Sequence, residues 1–117
     1  MDNNIGSITL KELFKIQEDL NSYLIEISNI NKSEEEMLSN LFLALQVEVG
    51  ELANATRCFK YWSRKSSDPK ERLLEEYADI LHFVLNIGNT LGFTASEVEK
   101  SYLSKNRENY IRQFEGY

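Results

Sequence analysis

The chain predicts an all-α fold, a four-helix bundle with short connections, and three observations carry that reading. Four short polar caps are each followed three residues later by Glu: Thr9 with Glu12, Ser33 with Glu36, Asp68 with Glu71, and Thr94 with Glu97. No segment alternates apolar and polar residues with period two, and no Asn-Gly or Asp-Gly hairpin signal occurs. Apolar residues in the first segment recur at helical spacing instead. The caps predict helices at about 9–28, 34–63, 69–91 and 95–114. With 117 residues there is room for one core, so residues 1–117 are read as a single domain.

The first helix carries the stripe Leu10, Leu13, Phe14, Leu20, Leu24 and Ile27. Gln17 and Asn21, four apart, add a small amide pair. Amides suit the edge of a base because each offers a donor and an acceptor. The second helix contains Glu48-x-x-Glu51 around Val49-Gly50. A mid-helix Gly costs about 1 kcal/mol relative to Ala, so Gly50 predicts a close neighbour at the backbone. The end of this helix, Arg57 to Lys65, mixes cations with aromatics. Rings stack on bases and cations meet phosphates, which makes Lys60 and Trp62 ligand candidates. The alternative is a helix end whose rings finish the core while its cations stay in water.

The third helix starts at Asp68-Pro69, with Pro at a first-turn position that tolerates it. Leu73, Leu74, Tyr77, Ile80, Leu81, Phe83, Val84, Leu85 and Ile87 surround it almost completely. A helix apolar all round is a buried helix. Glu76, Asp79, His82, Asn86 and Asn89 nevertheless form one polar stripe along it, and their apolar flanks favour a cavity lining over a solvent edge. Gly92 fits the stop of this helix. On the fourth helix, Lys105, Asn109 and Arg112 share a face with two cations and an amide, able to grip a polyphosphate. A solvated tail helix is the competing reading.

The two acidic dyads, Glu48-x-x-Glu51 and Glu76-x-x-Asp79, are the most informative feature. Residues three apart share a helix face, so each dyad aims two carboxylates one way. Four such groups brought together repel one another and are costly to desolvate. A hard divalent cation between them resolves the conflict, because Mg²⁺ prefers oxygen ligands and leaves positions for phosphate. Any one of these acids could equally belong to a solvated face. Asp79-x-x-His82 imitates half of a di-iron carboxylate pattern. His82 is the sole histidine, however, so a symmetric di-iron site cannot be built within one chain, and the donor set favours Mg²⁺ or Mn²⁺ over iron or zinc. A core histidine bonded to a neighbour is the other reading of His82.

The net charge of −6 argues against a generic nucleic-acid binder. It leaves a nucleotide ligand open, since a bound cation reverses the local sign of a carboxylate cluster. No membrane span or signal peptide is legible, and Cys58 stands alone, so a cytoplasmic protein without disulfides or membrane contact is expected.

Glu48-Val49-Gly50-Glu51-Leu52-Ala53-Asn54, Cys58-Phe59-Lys60-Tyr61-Trp62-Ser63 and Glu75-Glu76-Tyr77-Ala78-Asp79-Ile80-Leu81-His82-Phe83 resemble the dimeric dUTPase family. That family sits in the all-α nucleotide pyrophosphatase superfamily, beside MazG-like enzymes and phage dCTP/dUTP pyrophosphatases. The ending Lys105-Asn106-x-x-Asn109-x-x-Arg112-Gln113-x-x-Gly116-Tyr117 resembles the family's closing motif. The resemblance implies Mg²⁺-dependent hydrolysis of dUTP to dUMP and pyrophosphate by a homodimer or a higher oligomer. It implies Glu48, Glu51, Glu76 and Asp79 as the Mg²⁺ ligands, with Glu48 as the base. Gln17, Asn21 and Trp62, with His82 close by, match the nucleoside pocket; Lys105, Asn109 and Arg112 match the residues for phosphates and sugar. Two other functions stay open. One is a pyrophosphatase for dCTP or a noncanonical triphosphate, differing around Gln17, Asn21, Trp62 and Asn86; the other is a non-enzymatic interaction protein on the same fold.

Overall fold

The computed structural model describes residues 6–116, so Tyr117 of the closing motif lies outside the described residues. Its elements are α1 (Leu10–Ile27), α2 (Glu34–Thr56), α3 (Lys70–Thr90) and α4 (Ala95–Phe114), with no strand among the described residues. The all-α expectation holds. Three of the four predicted starts are capped by the expected hydroxyl: Glu12 N donates to Thr9 Oγ1, Glu36 N to Ser33 Oγ, and Glu97 N to Thr94 Oγ1. At Thr94 the box is complete, because Thr94 N also donates to Glu97 Oε1. Asp68 does not cap α3, and the N-cap is Pro69. Asp68 N donates instead to Ala55 O at 2.9 Å, which ties the loop back to the last turn of α2.

The same tie explains the largest boundary error. The second helix does not run to residue 63; it stops at Thr56, and Arg57 takes the left-handed conformation (φ 61°, ψ 16°). Helix-end carbonyls need donors. Arg57 N and Thr56 Oγ1 serve Ala53 O, and Asp68 N serves Ala55 O. Arg57 Nη2 then closes the following turn on Ser63 Oγ at 2.7 Å. The end of α3 matches expectation. Gly92 (φ 80°) sits one residue past the cap, Gly92 N donates to Asn89 O, and Phe93 N donates to Gly88 O. These are the two bonds of a Schellman stop, which needs a residue at ease with positive φ.

The core lies where α1, α3 and α4 meet: Phe14, Leu85 and Ala95, flanked by Leu10, Leu13 and Val98. Gly88 makes this junction possible, since a Cβ there would stand 2.8 Å from the Phe14 ring. Gly50 behaves differently. Nothing lies within 4 Å of where its Cβ would be, so the expected close neighbour is absent among the described residues. α2 packs on α3, α3 on α1, and α4 on α1.

The chain is openly packed. Its radius of gyration is 17.7 Å, against about 13 Å for a compact domain of this size. The expectation that α3 is buried all round is therefore corrected: Leu74, Tyr77, Leu81 and Val84 are exposed. So are Leu20, Leu24 and Ile27 in the second half of the α1 stripe. The cause is that α4 joins the core near its own start, through Ala95 and Val98, and leaves these faces uncovered.

Candidate active site

The α2–α3 pairing sets the two dyads face to face. Glu48, Glu76 and Asp79 each bring a carboxylate oxygen within 4.8 Å of the others. Glu51 stands beside them, close enough for its charge to act on both Glu48 and Glu76. Burial is uneven: Glu76 is only 2% exposed, Glu48 is half-buried, and Glu51 and Asp79 are exposed. Burial raises the Glu48 carboxyl above the ordinary carboxylate range, and the nearby charges of Glu51 and Asp79 raise it further. Burial also raises Glu76, although Arg72 pulls it down. Arg72 Nη2 lies 2.5 Å from Glu76 Oε1, and its Nη1 lies 3.1 Å from Glu75 Oε2.

Two carboxylate oxygens in this group, Glu48 Oε2 and Glu76 Oε2, are buried without a hydrogen-bond partner. An unsatisfied buried acceptor calls for a cation, a proton or a donor. The donor set is all oxygen and carries excess negative charge, which fits a hard divalent cation such as Mg²⁺ or Mn²⁺. A hydrophilic cavity of about 420 Å³ opens beside it, lined by Gly50, Glu51, Asn54, Asp68, Arg72 and Glu76.

Further along α3 the polar stripe turns to α1. His82 Nδ1 and Gln17 Oε1 lie 2.5 Å apart, and Asn86 Nδ2 donates to Asn21 Oδ1 at 3.3 Å. Asn89 Nδ2 donates to Phe14 O at 2.9 Å. Four residues read from sequence as one nucleoside pocket thus come together as two cross-helix pairs. Gln17 and Asn86 are buried, and Asn86 Oδ1 has no partner.

The remaining candidates stand apart from the acids. Lys60 and Trp62 sit in the turns after α2, not on a helix. Trp62 is 64% exposed and meets Tyr61 edge-on at 5.2 Å and Phe59 at 6.1 Å, with Lys60 over the Phe59 ring. Lys105, Asn109 and Arg112 lie on α4, where Lys105 and Arg112 both bind Glu108 at 3.2 and 2.6 Å. None of these five residues lines the cavity beside Glu76. Sequence reasoning missed Arg72, Asn54 and Asp68. A signal existed for Arg72, since it precedes Glu76 by one helical turn.

Known proteins bear on this geometry. A family profile described as dUTPase matches residues 9–92 and 84–117 in two overlapping stretches. The chain is also 28% identical over 102 residues to a dCTP pyrophosphatase of Enterobacteria phage T4, covering 74% of this chain and 60% of the relative. A dCTP pyrophosphatase of Enterobacteria phage LZ5 is 26% identical over 102 residues, covering 74% of this chain and 59% of the relative. The chain thus spans about 60% of the length of the curated relatives it matches. No helix among the described residues is long and apolar enough to cross a membrane. The profile match takes in the acidic dyads, the aromatic turns and the α4 motif together, and the chain belongs to the dUTPase family whose motifs it resembles.

Proposed function

We propose that this chain is a divalent-cation-dependent nucleoside triphosphate pyrophosphohydrolase that converts dUTP to dUMP and pyrophosphate, with residues 1–117 acting as one domain. The observation that carries the reading is the Glu48, Glu76 and Asp79 cluster with its unpartnered buried oxygens, in a chain of the dUTPase family. Glu48, Glu51, Glu76 and Asp79 would hold Mg²⁺, or Mn²⁺ in its place. A bound cation supplies charge neutralisation at the triphosphate and a more acidic water.

The chain's own groups do the rest. Water oxygen bonds to the α-phosphorus, the bond to the bridging oxygen breaks, and pyrophosphate leaves with that oxygen. Glu48 orients the water and takes its proton. Gln17, Asn21, His82 and Asn86 hold the nucleoside, with the free Asn86 Oδ1 available to a base N–H. Trp62 offers a stacking face, and Lys60 a cation beside it. Lys105, Asn109 and Arg112 take the phosphates and sugar, and the two cations stabilise charge on phosphate oxygens.

A second copy is part of this reading. Leu74, Tyr77, Leu81 and Val84 on α3 and Phe42, Leu43, Val47 and Val49 on α2 are exposed in the protomer. Apolar faces of that extent support a homodimer, or a higher oligomer, that closes the site with α4 from one copy or the other. A monomer mass by light scattering at assay concentration would reject it. A cytoplasmic setting fits the exposed free thiol of Cys58.

The relatives named dCTP pyrophosphatase favour dCTP as the second substrate reading. Cytosine and uracil differ at the edge that amides would read, so the seam between α1 and α3 is where the choice is made. A panel of dUTP, dCTP and noncanonical triphosphates, scored by pyrophosphate release with Mg²⁺, decides it. The expected result is the highest kcat/KM for dUTP. A higher value for dCTP moves the assignment to the second substrate, and no release from any triphosphate rejects the enzyme.

A further inference from the structure

We infer that Arg72 is a positioning residue for the acidic cluster: its guanidinium holds one oxygen of Glu76 and leaves the other for a divalent cation. The inference rests on the proposed cation-binding reading of Glu48, Glu76 and Asp79.

The Glu76 side chain is 3% exposed, whereas that of Arg72 is 52% exposed. This is therefore no ordinary surface pair, in which both partners are hydrated and little is gained. Arg72 reaches down one helical turn of α3 and delivers charge to a carboxylate that water hardly touches. The two oxygens of Glu76 are treated differently. Oε1 is held by Arg72 Nη2 at 2.5 Å, and Oε2 is buried with no partner. A carboxylate gripped at one oxygen cannot swing, so its second oxygen keeps a fixed direction. Glu75 fixes the other side of the fork through Nη1 at 3.1 Å, which orients the guanidinium plane itself.

The competing reading makes Arg72 a tethered rival, a positive charge that occupies the acids and must be displaced. That reading predicts that Arg72 takes up both oxygens of Glu76. Instead Glu76 Oε2 and Glu48 Oε2 both stand unpartnered, and Arg72 lines the neighbouring hydrophilic cavity with Glu51, Asn54 and Asp68. Outer partners of this kind orient ligands, and their loss weakens metal binding by about 10–100-fold.

The test is Mn²⁺ binding to the metal-free full chain, with free Mn²⁺ followed by electron paramagnetic resonance below the melting temperature. Arg72→Met is expected to bind Mn²⁺ about 10–100-fold more weakly than the parent. Arg72→Lys, which keeps the charge but loses the fork, falls between them. Glu75→Gln, which removes the exposed charge but keeps an oxygen acceptor for Nη1, stays close to the parent. If Arg72→Met does not fold in EDTA, the Arg72→Lys and Glu75→Gln pair carries the comparison. A merely structural role would lower the melting temperature without moving the Mn²⁺ affinity. Binding equal to or tighter than the parent in a folded Arg72 variant overturns the inference and leaves the cation site standing. A parent that binds no Mn²⁺ overturns the cation site and this inference with it.

Discussion

One polar stripe on α3 has two halves with opposite habits. Its C-terminal half, His82, Asn86 and Asn89, faces α1, where each side chain has a partner in Gln17, Asn21 or the Phe14 carbonyl. Its N-terminal half, Glu76 and Asp79, faces α2, where like charges meet and two buried oxygens go unsatisfied. Neutral amides crossing a helix seam stabilise it and set its shape. Converging carboxylates do neither on their own. The first half can be explained as architecture, whereas the second makes physical sense only with something bound. Within one helix, then, the half facing α2 gathers buried carboxylate oxygens that call for a cation or a proton, while the half facing α1 ties two helices together and leaves only Asn86 Oδ1 over.

The sharpest way to break that contrast is to neutralise one acid. Glu48→Gln keeps size and hydrogen bonding while removing the base, and turnover should fall by about 10²–10⁴-fold in kcat. Asp79→Asn should fall comparably through the cation. Changes at the α1 partners of the other half, such as Asn21→Ser, should act mainly on KM. Pyrophosphate release under saturating Mg²⁺ measures both. Full turnover in both acid variants would show that the cluster is not the catalytic centre.

A smaller effect separates two glycines that sequence alone does not distinguish. Gly88 faces Phe14 at the α1–α3–α4 junction, where an added Cβ would meet the ring at 2.8 Å. Gly88→Ala should destabilise by about 1–3 kcal/mol through overpacking, despite better helix propensity. Gly50 faces open space beside the acids. Gly50→Ala should stabilise the metal-free protomer by about 0.5–1 kcal/mol. Urea unfolding in EDTA resolves the two signs. If Gly50→Ala destabilises instead, a partner copy comes within reach of that backbone.

The four helices were legible because capping chemistry is local. Thr9, Ser33 and Thr94 each announce a helix with their own side chain, and the structure uses all three. The misreadings at Thr56 and Asp68 share one cause. A long-range hydrogen bond from Asp68 N to Ala55 O decides both, and no local pattern encodes it. The acidic dyads were legible because spacing of three fixes a shared face, and the amide pairs of α1 because spacing of four does. The path from Lys105, Asn109 and Arg112 to the acids was not, since it depends on where α4 packs, and within the protomer it packs on α1. The exposed apolar faces of α1 and α3 were misread as core for a related reason. Periodicity tells which side of a helix avoids water, but not whether the same chain or another one covers it.

The smallest predicted effect is a pH dependence of stability in the absence of cations, and its sign again divides the molecule. Glu48 and Glu76 have pKa values raised above the ordinary 4.5, chiefly by burial. The folded chain therefore holds their protons more tightly than the unfolded chain. Their contribution to stability rises as pH falls through the raised values toward the ordinary one. Glu108 on α4 has its pKa lowered by Lys105 and then Arg112, and Glu97 by its Thr94 cap. Those two stabilise above the ordinary value and lose that contribution as pH falls through the lowered ones. In EDTA the melting temperature should therefore climb slightly as pH falls toward the ordinary carboxylate value and decline in stronger acid. Glu48→Gln should flatten the upper limb and leave the acid limb in place. Saturating Mg²⁺ should reverse the upper limb, because a cation competes with the protons on Glu48 and Glu76 and is displaced as pH falls. An upper limb that ignores both the substitution and the cation would mean that the acids do not meet in solution.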